Sequence, residues 1–423
     1  MNVGIIGSGG REHAICIALK KSKKIEEIYC FPGNAGTEKI AKNIALNLED
    51  FDQLKNYVLK NKIDLVIVGP EKPLVDGIVD FLEKNKIKVF GPNKLASQLE
   101  GSKIFTKKIC ENYNIPTAKF GIFKNINDAN NFIETSKHPL VIKADGLASG
   151  KGVYICSTKF DSKEAIKEIF EGKFGEAENL LVEEFLEGEE MSYFVISDGK
   201  TIKTFETAQD HKRVLEGDLG KNTGGMGAYS PSRLINNELE KKILKKIIEP
   251  TIKALKDLGT TYKGFLYTGL MIIKNEPYLI EYNVRMGDPE CQTILPKLNS
   301  DFLDIILACC NGELDKFEIH WHNKKSLCIV LCSNGYPDIF EKNILIEDLG
   351  NIELDEHEYC YHASTYTYKN KVYTNGGRVL TFVKMSESFE RNRNRIFDLI
   401  KSLNWSGGFY RKDIGYKVID EWE

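Results

Sequence analysis

Glu281-Tyr282-Asn283-Val284-Arg285 places three groups suited to phosphate chemistry at alternate positions. On an extended strand alternate side chains share a face, so Glu281, Asn283 and Arg285 point the same way. A carboxylate and an amide oxygen suit Mg2+ or Mn2+, hard cations that take oxygen ligands and share them with nucleotide phosphates. Arg285 adds a planar fork that can hold a phosphoryl group. Gly287-Asp288-Pro289-Glu290 then turns the chain. The competing reading is a surface strand carrying a Glu/Arg pair.

Two glycine-rich turns could meet anions. Lys143 ends an apolar strand and runs into Ala144-Asp145-Gly146-Leu147-Ala148-Ser149-Gly150-Lys151-Gly152. Such a loop can cradle a polyphosphate with its N–H groups and lysines, although the spacing is not that of a P-loop. A hairpin loop with solvated lysines is the alternative. Gly7-Ser8-Gly9-Gly10-Arg11-Glu12 ends the first strand and opens the first helix, where backbone N–H groups and the helix dipole favour an anion. The dinucleotide fingerprint would need glycine at Glu12, so a phosphate or sugar phosphate fits better than NAD. A tight turn without a ligand is equally open. Leu181-Val182-Glu183-Glu184-Phe185-Leu186-Glu187-Gly188-Glu189 is a strand entering an acidic turn, able to pair an adenine edge and a ribose, or simply an edge strand with a solvated tail. Gln209-Asp210-His211-Lys212-Arg213, followed by Asn222-Thr223-Gly224-Gly225-Met226-Gly227, could grip a small zwitterion or a phosphate, or be a hydrophilic loop.

The elements that must carry these groups fall into three regions. Residues 1–101 alternate strand and helix: Val3 to Gly7, a helix over His13 to Lys24, Ile25 to Phe31, Asp64 to Pro70 and Lys88 to Phe90. The near-continuous apolar runs are those of parallel strands covered on both faces, hence an open doubly wound sheet with ligands at its carboxyl ends. Residues 102–325 open with a helix over Ser102 to Asn112 and turn strand-rich, with one long helix over Glu238 to Leu258. Residues 326–423 form a smaller α+β region with a strand over Ser326 to Cys332. It has an expected hairpin at Asn375-Gly376-Gly377 and an amphipathic helix with Ile396, Leu399, Ile400 and Leu403 on one face.

The chain of 423 residues is long enough for several domains with cores of their own. A net charge of −3 argues against a dedicated nucleic-acid binder. The apolar runs Phe265 to Ile273 and Phe302 to Cys310 are too short to span a bilayer as helices, so no membrane partner is expected. No basic, apolar leader opens the sequence, and the ten cysteines lack a Cys-x-x-Cys pair, so a cytoplasmic protein with reduced thiols is expected. His320-Trp321-His322 has no third ligand nearby and is not read as a zinc site.

In order along the chain, these segments resemble the ATP-grasp superfamily and, within it, the phosphoribosylamine–glycine ligases (glycinamide ribonucleotide synthetases). The likeness extends through Pro32-Gly33-Asn34-Ala35-Gly36, Val68-Gly69-Pro70-Glu71, Gly101-Ser102-Lys103 and Gly264-Phe265-Leu266-Tyr267. It continues to Asn375-Gly376-Gly377-Arg378-Val379-Leu380 and Arg411-Lys412-Asp413-Ile414-Gly415. It implies a Rossmann-like N-terminal domain, a central ATP-grasp fold with a small lid subdomain at about 120–190, and a small C-terminal α+β domain. The chain resembles the monofunctional form of the enzyme. Ser364 stands where the family usually has glycine, and Val284 and Met286 replace its commoner Cys and Phe. Near Gly269 many ATP-grasp enzymes carry a further metal carboxylate, so the metal leans on Glu281 and Asn283.

The implied reaction is ATP-dependent ligation of glycine to 5-phosphoribosylamine through glycyl phosphate, in purine biosynthesis, by a monomer. Lys107 and Lys143 are assigned to ATP phosphates, with Gly150, Lys151 and Gly152 in the lid. Glu183, Glu184, Phe185 and Leu186 should meet adenine and Glu189 the ribose. Arg285 would steady the transferring phosphoryl group. Asp210, Lys212, Gly224 and Gly225 would hold glycine and close the site. Gly9, Gly10, Glu12, Asn34, Pro70, Glu71, Gly287 and Asp288 would face phosphoribosylamine. The rival readings are another ATP-grasp carboxylate–amine ligase or carboxylase, a nicotinamide oxidoreductase, and a non-catalytic nucleotide-binding protein.

Overall fold

The computed structural model describes residues 1–147, 152–173, 175, 178–403 and 405–419. At the N-terminus five parallel strands lie in the order Lys42–Asn43, Glu27–Pro32, Asn2–Gly7, Leu65–Val68 and Val89–Phe90. Val3, Ile5, Leu65 and Ile67 enter one core, while Ile6, Val66 and Val68 enter another. Both faces are therefore covered, which is why these segments read as continuous apolar runs. Strand order reverses between Asn2–Gly7 and Leu65–Val68, and the crevice beyond their carboxyl ends holds Gly9, Gly10 and Glu71.

A second, four-stranded antiparallel sheet has the order Phe120–Phe123, Leu180–Glu184, Leu140–Ala144, Val153–Cys156. Helices Ile126–Thr135 and Lys159–Phe170 cover it, packing Ala129, Ile133, Ala165, Ile166 and Ile169 on Leu140, Ile142, Leu180 and Val182. This small unit has its own core, so it can move as one piece.

The third sheet is the largest. Its antiparallel order is Glu276–Asn283, Lys263–Ile273, Glu189–Asp198, Ile202–Asp210, Gly227–Ser230, Lys325–Ser333, Arg378–Ser386, Glu358–His362. The sequence boundary drawn at 325/326 thus lies at the head of a strand that completes the central sheet, with Gly227 opposite Ile329 and Ser230 opposite Ser326. Ile396, Leu399, Ile400 and Leu403 of helix Phe389–Leu403 are buried in the core beneath its far end.

Two local expectations change. Asn375-Gly376-Gly377 does not make a hairpin, because Lys371–Thr374 pairs with Thr365–Tyr368 while Arg378–Ser386 belongs to the large sheet. The hairpin turn lies just upstream at Lys369 and Asn370, both with positive φ (47° and 60°), the conformation a tight two-residue turn requires. The long helix holds a π-helical segment, Leu244–Ile248, between Asn237–Ile243 and Glu249–Asp257. Pro250 follows directly and cannot donate to the turn before it, so the ladder shifts there.

Candidate functional site

Lys143 closes the central strand of the small sheet, and Glu183 lies on the neighbouring strand with Val141 opposite it and Leu181 opposite Lys143. That diagonal brings the two side chains together on one face. Glu183 forms ion pairs with Lys143 Nζ at 2.7 Å and Lys107 Nζ at 2.8 Å, all three side chains being 4–7% exposed. Burial pushes the Glu183 carboxyl up, but Lys143 and Lys107 outweigh it and hold it below its ordinary range. Burial lowers the Lys107 ammonium, against the pull of Glu183. Lys107 also donates to Thr117 Oγ1 (2.6 Å), which donates to the Leu279 carbonyl (2.7 Å) on the Glu276–Asn283 strand. One carboxylate and one hydroxyl thus tie the small sheet, helix Lys103–Asn112 and the large sheet around two ammonium groups. The triad carries a net positive charge in a buried place, which suits polyphosphate.

Glu281 and Asn283 lie on one face of Glu276–Asn283, facing this cleft. Glu281 sits opposite Gly269, where a side chain's Cβ would be 3.2 Å from Glu281 Cγ, so the glycine leaves the carboxylate its room. Lys212 reaches Glu190 (3.0 Å) and Glu281 (3.7 Å). Burial opposes its charge, but Glu190 first and then Tyr267, Glu281 and Asp210 raise its pKa well above the ordinary lysine value. With the Asn283 amide turned so that both its atoms are satisfied, its nitrogen donates to Glu100 Oε1 and the Tyr282 carbonyl, each at 3.1 Å, and its oxygen Oδ1 lies on the side away from Glu100. A carboxylate beside an amide oxygen offers the oxygen ligands that a hard divalent ion takes. Among the described residues no set of three or more His, Cys, Asp or Glu is arranged to hold a metal, so such an ion would complete its shell with phosphate oxygens.

Arg285 lies where the first and central regions meet. Its Nε donates to Glu71 Oε2 (3.2 Å), Nη2 to Glu100 Oε1 (2.7 Å) and Nη1 to the Met286 carbonyl (3.2 Å). Arg285 and then Arg11 hold the Glu71 carboxyl down to about 2. Asp288 accepts from Gln292 Nε2 (2.7 Å) and lies 3.3 Å from Arg378 Nη1, and that guanidinium also donates to the carbonyls of Gly224 and Asp288. Burial, and then Glu290, raises the Asp210 carboxyl well above its ordinary range. Its Oδ1 and Gln292 Oε1 are buried acceptors with no hydrogen-bond partner among the described residues. Gly225 has φ +113°, and a Cβ there would lie 2.4 Å from Pro289 Cδ and 2.8 Å from Asp210 Oδ1, so only glycine lets the loop close on these groups.

The sequence-predicted residues divide accordingly. Lys107, Lys143 and Glu183 come together, but the Glu183 side chain is taken up by the lysines rather than turned to an adenine edge. Glu184 caps the Lys119 N–H (2.9 Å), Phe185 is exposed at the cleft rim with Leu186 beside it, and Glu189 pairs with Arg233. Gly152 is described and buried, its carbonyl accepting from Ala144 N (2.9 Å); Gly150 and Lys151 lie outside the described residues. Gly9, Gly10, Pro70, Glu71, Gly287 and Asp288 surround the junction, Gly9 against Asp288 and Gly10 against Gln292.

Two residues assigned to substrate, Asn34 and Glu12, bond within the frame. Asn34 donates to the carbonyls of Ser8 (2.8 Å) and His362 (2.9 Å) and accepts from Gly36 N and Thr37 N, which exhausts its amide. Glu12 accepts from Gly9 N (2.7 Å) and Arg11 Nε (2.6 Å), and sits so close to Gly69 that a Cβ there would lie 2.1 Å from Glu12 Oε1. The reading of residues missed Lys103, Glu100, Glu190, Gln292 and Arg378. Lys103, which donates to the Gly146 carbonyl (2.8 Å), and Arg378 lie within quoted segments and could have been found there.

Three family models match: the N domain of phosphoribosylglycinamide synthetase over residues 1–100, its ATP-grasp (A) domain over 101–291 and its C domain over 326–417. Phosphoribosylamine–glycine ligase of Brucella melitensis is 42% identical over 421 residues, 99% of each chain. The crystal structure of phosphoribosylamine–glycine ligase from Thermotoga maritima superposes with a TM-score of 0.85 at 34% identity, covering 98% of this chain and all of that one. The biotin carboxylase domain of Hydrogenobacter thermophilus 2-oxoglutarate carboxylase, in complex with MgADP and bicarbonate, shares the fold at 17% identity (TM-score 0.72, covering 95% of this chain and 89% of that one).

Proposed function

The chain belongs to the phosphoribosylglycinamide synthetase family, and from that premise we infer that it ligates glycine to 5-phosphoribosylamine with ATP, releasing ADP and phosphate. A carboxylate does not acylate an amine at neutral pH. A glycine carboxylate oxygen therefore takes the γ-phosphoryl group, the O–P bond to ADP breaks, and an acyl phosphate forms. The 1-amino nitrogen of phosphoribosylamine then attacks the acyl carbon, the C–O bond to phosphate breaks, and the nitrogen loses a proton.

The residue roles below are our reading. Lys107 and Lys143 hold ATP phosphates, exchanging part of their pairing with Glu183 for phosphate oxygens. Phe185 and Leu186 line the adenine side. Glu281 and Asn283 would hold a divalent ion, Mg2+ or Mn2+, which when bound neutralises phosphate charge and orients the γ-phosphoryl group. Arg285 steadies the phosphoryl group in transit. Asp210 Oδ1 receives the glycine ammonium, while Lys212 faces its carboxylate. Gly9, Gly10, Glu71 and Asp288 face the sugar phosphate. The supporting observation is the Arg285 guanidinium, two residues beyond the Glu276–Asn283 strand and bonded to Glu71 and Glu100 of the first region, so that phosphoryl transfer and the amine's loops share one group. We place the enzyme in the cytosol as a monomer, in keeping with ten free cysteines and with no helix among the described residues able to cross a membrane.

The test is ADP and phosphate release from Mg2+-ATP and glycine, with and without phosphoribosylamine formed in situ from ribose 5-phosphate and ammonia. Stoichiometric ADP that requires both acceptor substrates is expected. Turnover indifferent to phosphoribosylamine would refute the assignment.

A further inference from the structure

Glu100 belongs to the short helix Gln98–Gly101, at the seam between the first and central regions. Its backbone is fixed: Glu100 N donates to the Ser97 carbonyl (3.1 Å), and the Leu99 carbonyl accepts from Thr106 Oγ1 (2.7 Å). Its side chain is 7% exposed. The carboxylate takes hydrogen bonds from three consecutive residues, Asn283 Nδ2 (3.1 Å) and Arg285 Nη2 (2.7 Å) on Oε1 and Val284 N (2.8 Å) on Oε2.

Three donors on one carboxylate do more than hold a strand end. The two ends of an asparagine amide have nearly the same size, and only the oxygen can ligate a cation. Both Glu100 oxygens already accept from N–H groups, Oε1 from Arg285 and Oε2 from Val284, so the carboxyl meets the amide as an acceptor and selects the orientation in which the amide nitrogen faces it. The oxygen is then turned away from Glu100. The same carboxylate fixes one tine of the Arg285 fork, so both groups are set before nucleotide arrives. Supporting groups of this kind are typically worth 10–100-fold in metal affinity or activity.

We propose that Glu100 is the positioning residue that orients Asn283 Oδ1 toward the nucleotide's divalent ion and sets the Arg285 guanidinium beside it. The proposal rests on the reading of Asn283 as a metal ligand. It is tested by Mn2+ binding, read by electron paramagnetic resonance in the presence of ADP. The proteins compared are the wild type, Glu100→Ala, Asn283→Ala and the double variant Glu100→Ala/Asn283→Asp. An aspartate presents an oxygen in either orientation and returns the charge removed at 100.

Glu100→Ala should raise the Mn2+ dissociation constant about tenfold or more, with ADP affinity in the absence of metal unchanged. The double variant should recover to within about threefold of wild type. If Asn283→Ala loses Mn2+ while Glu100→Ala does not, the proposal fails and the metal ligand stands. If Asn283→Ala binds Mn2+ normally, the ligand reading fails and takes the proposal with it. A Glu100→Ala loss that Asn283→Asp does not repair would show a general structural role and overturn the proposal. Glu100→Gln keeps the volume and should fall in the same direction, which preserves the test if Glu100→Ala does not fold.

Discussion

Replacing Glu183 by glutamine tests whether this carboxylate is the counter-charge that keeps the nucleotide lysines together before phosphate arrives. The Lys107–Glu183–Lys143 side chains are 4–7% exposed, so neither ammonium can turn to bulk water. Removing the shared charge strands two buried cations, and breaking a buried ion pair from one side costs about 3–5 kcal/mol. The lower-energy response is for one lysine to lose its proton, and Lys107, already lowered by burial, is the one to do so. A base whose pKa is depressed in the fold binds fewer protons there than in the unfolded chain, so the variant gains stability as pH rises toward the unfolded lysine value. Each pH unit returns about 1.4 kcal/mol. A deficit of about 3–5 kcal/mol at pH 7 should therefore shrink by about 2–3 kcal/mol at pH 9. Urea unfolding of both proteins by circular dichroism at the two pH values measures this, and saturating ATP should stabilise the variant more than the wild type. A deficit under about 1 kcal/mol at pH 7, or one that ignores pH, would refute the reasoning.

Glu281→Ala should lower kcat about 10²–10³-fold at saturating Mg2+ while metal-free ADP binding persists, by steady-state kinetics and calorimetry. Gly225→Ala forces a side chain against Pro289 and Asp210 at φ +113°, so kcat/KM for glycine should fall at least about tenfold with little change in ATP KM. His362 is held neutral by burial, its pKa lowered to about 3, with Lys39 adding to the effect. The stability this gives is present above pH 6.5 and is lost as pH falls toward 3, at about 1.4 kcal/mol per unit. His362→Asn, which cannot titrate, should show a correspondingly shallower decline between pH 6 and 4 in denaturant titrations.

What the sequence disclosed followed physical periodicity. The parallel strands were legible because burial on both faces leaves unbroken apolar runs, and the Glu281/Asn283/Arg285 face because a strand alternates. Partnership across the chain was not legible. Glu183 looked like an adenine contact because nothing local announces that Lys107 and Lys143 converge on it. Glu12 and Asn34 lie at glycine turns that suit anions, and what the sequence did not disclose is that those same turns need internal hydrogen bonds, which these two residues supply. Glu100 gave no sign at all, since its partners lie more than 180 residues away. Asn375-Gly376-Gly377 carried a turn signal without the strand pairing that makes a hairpin.

The large sheet also has a consequence for synthesis. Gly227–Ser230 finds its outer neighbour only in Lys325–Ser333, about 95 residues later. At ribosomal rates of about 5–20 residues per second, that edge waits roughly 5–20 s for its partner. Throughout that interval the nascent chain presents open backbone donors and acceptors beside an apolar face, the template on which strands of other chains pair. The last hundred residues therefore act, during translation, as the piece that ends a window of exposure. Messages cut short before codon 325 should yield chains that depend on chaperones or aggregate.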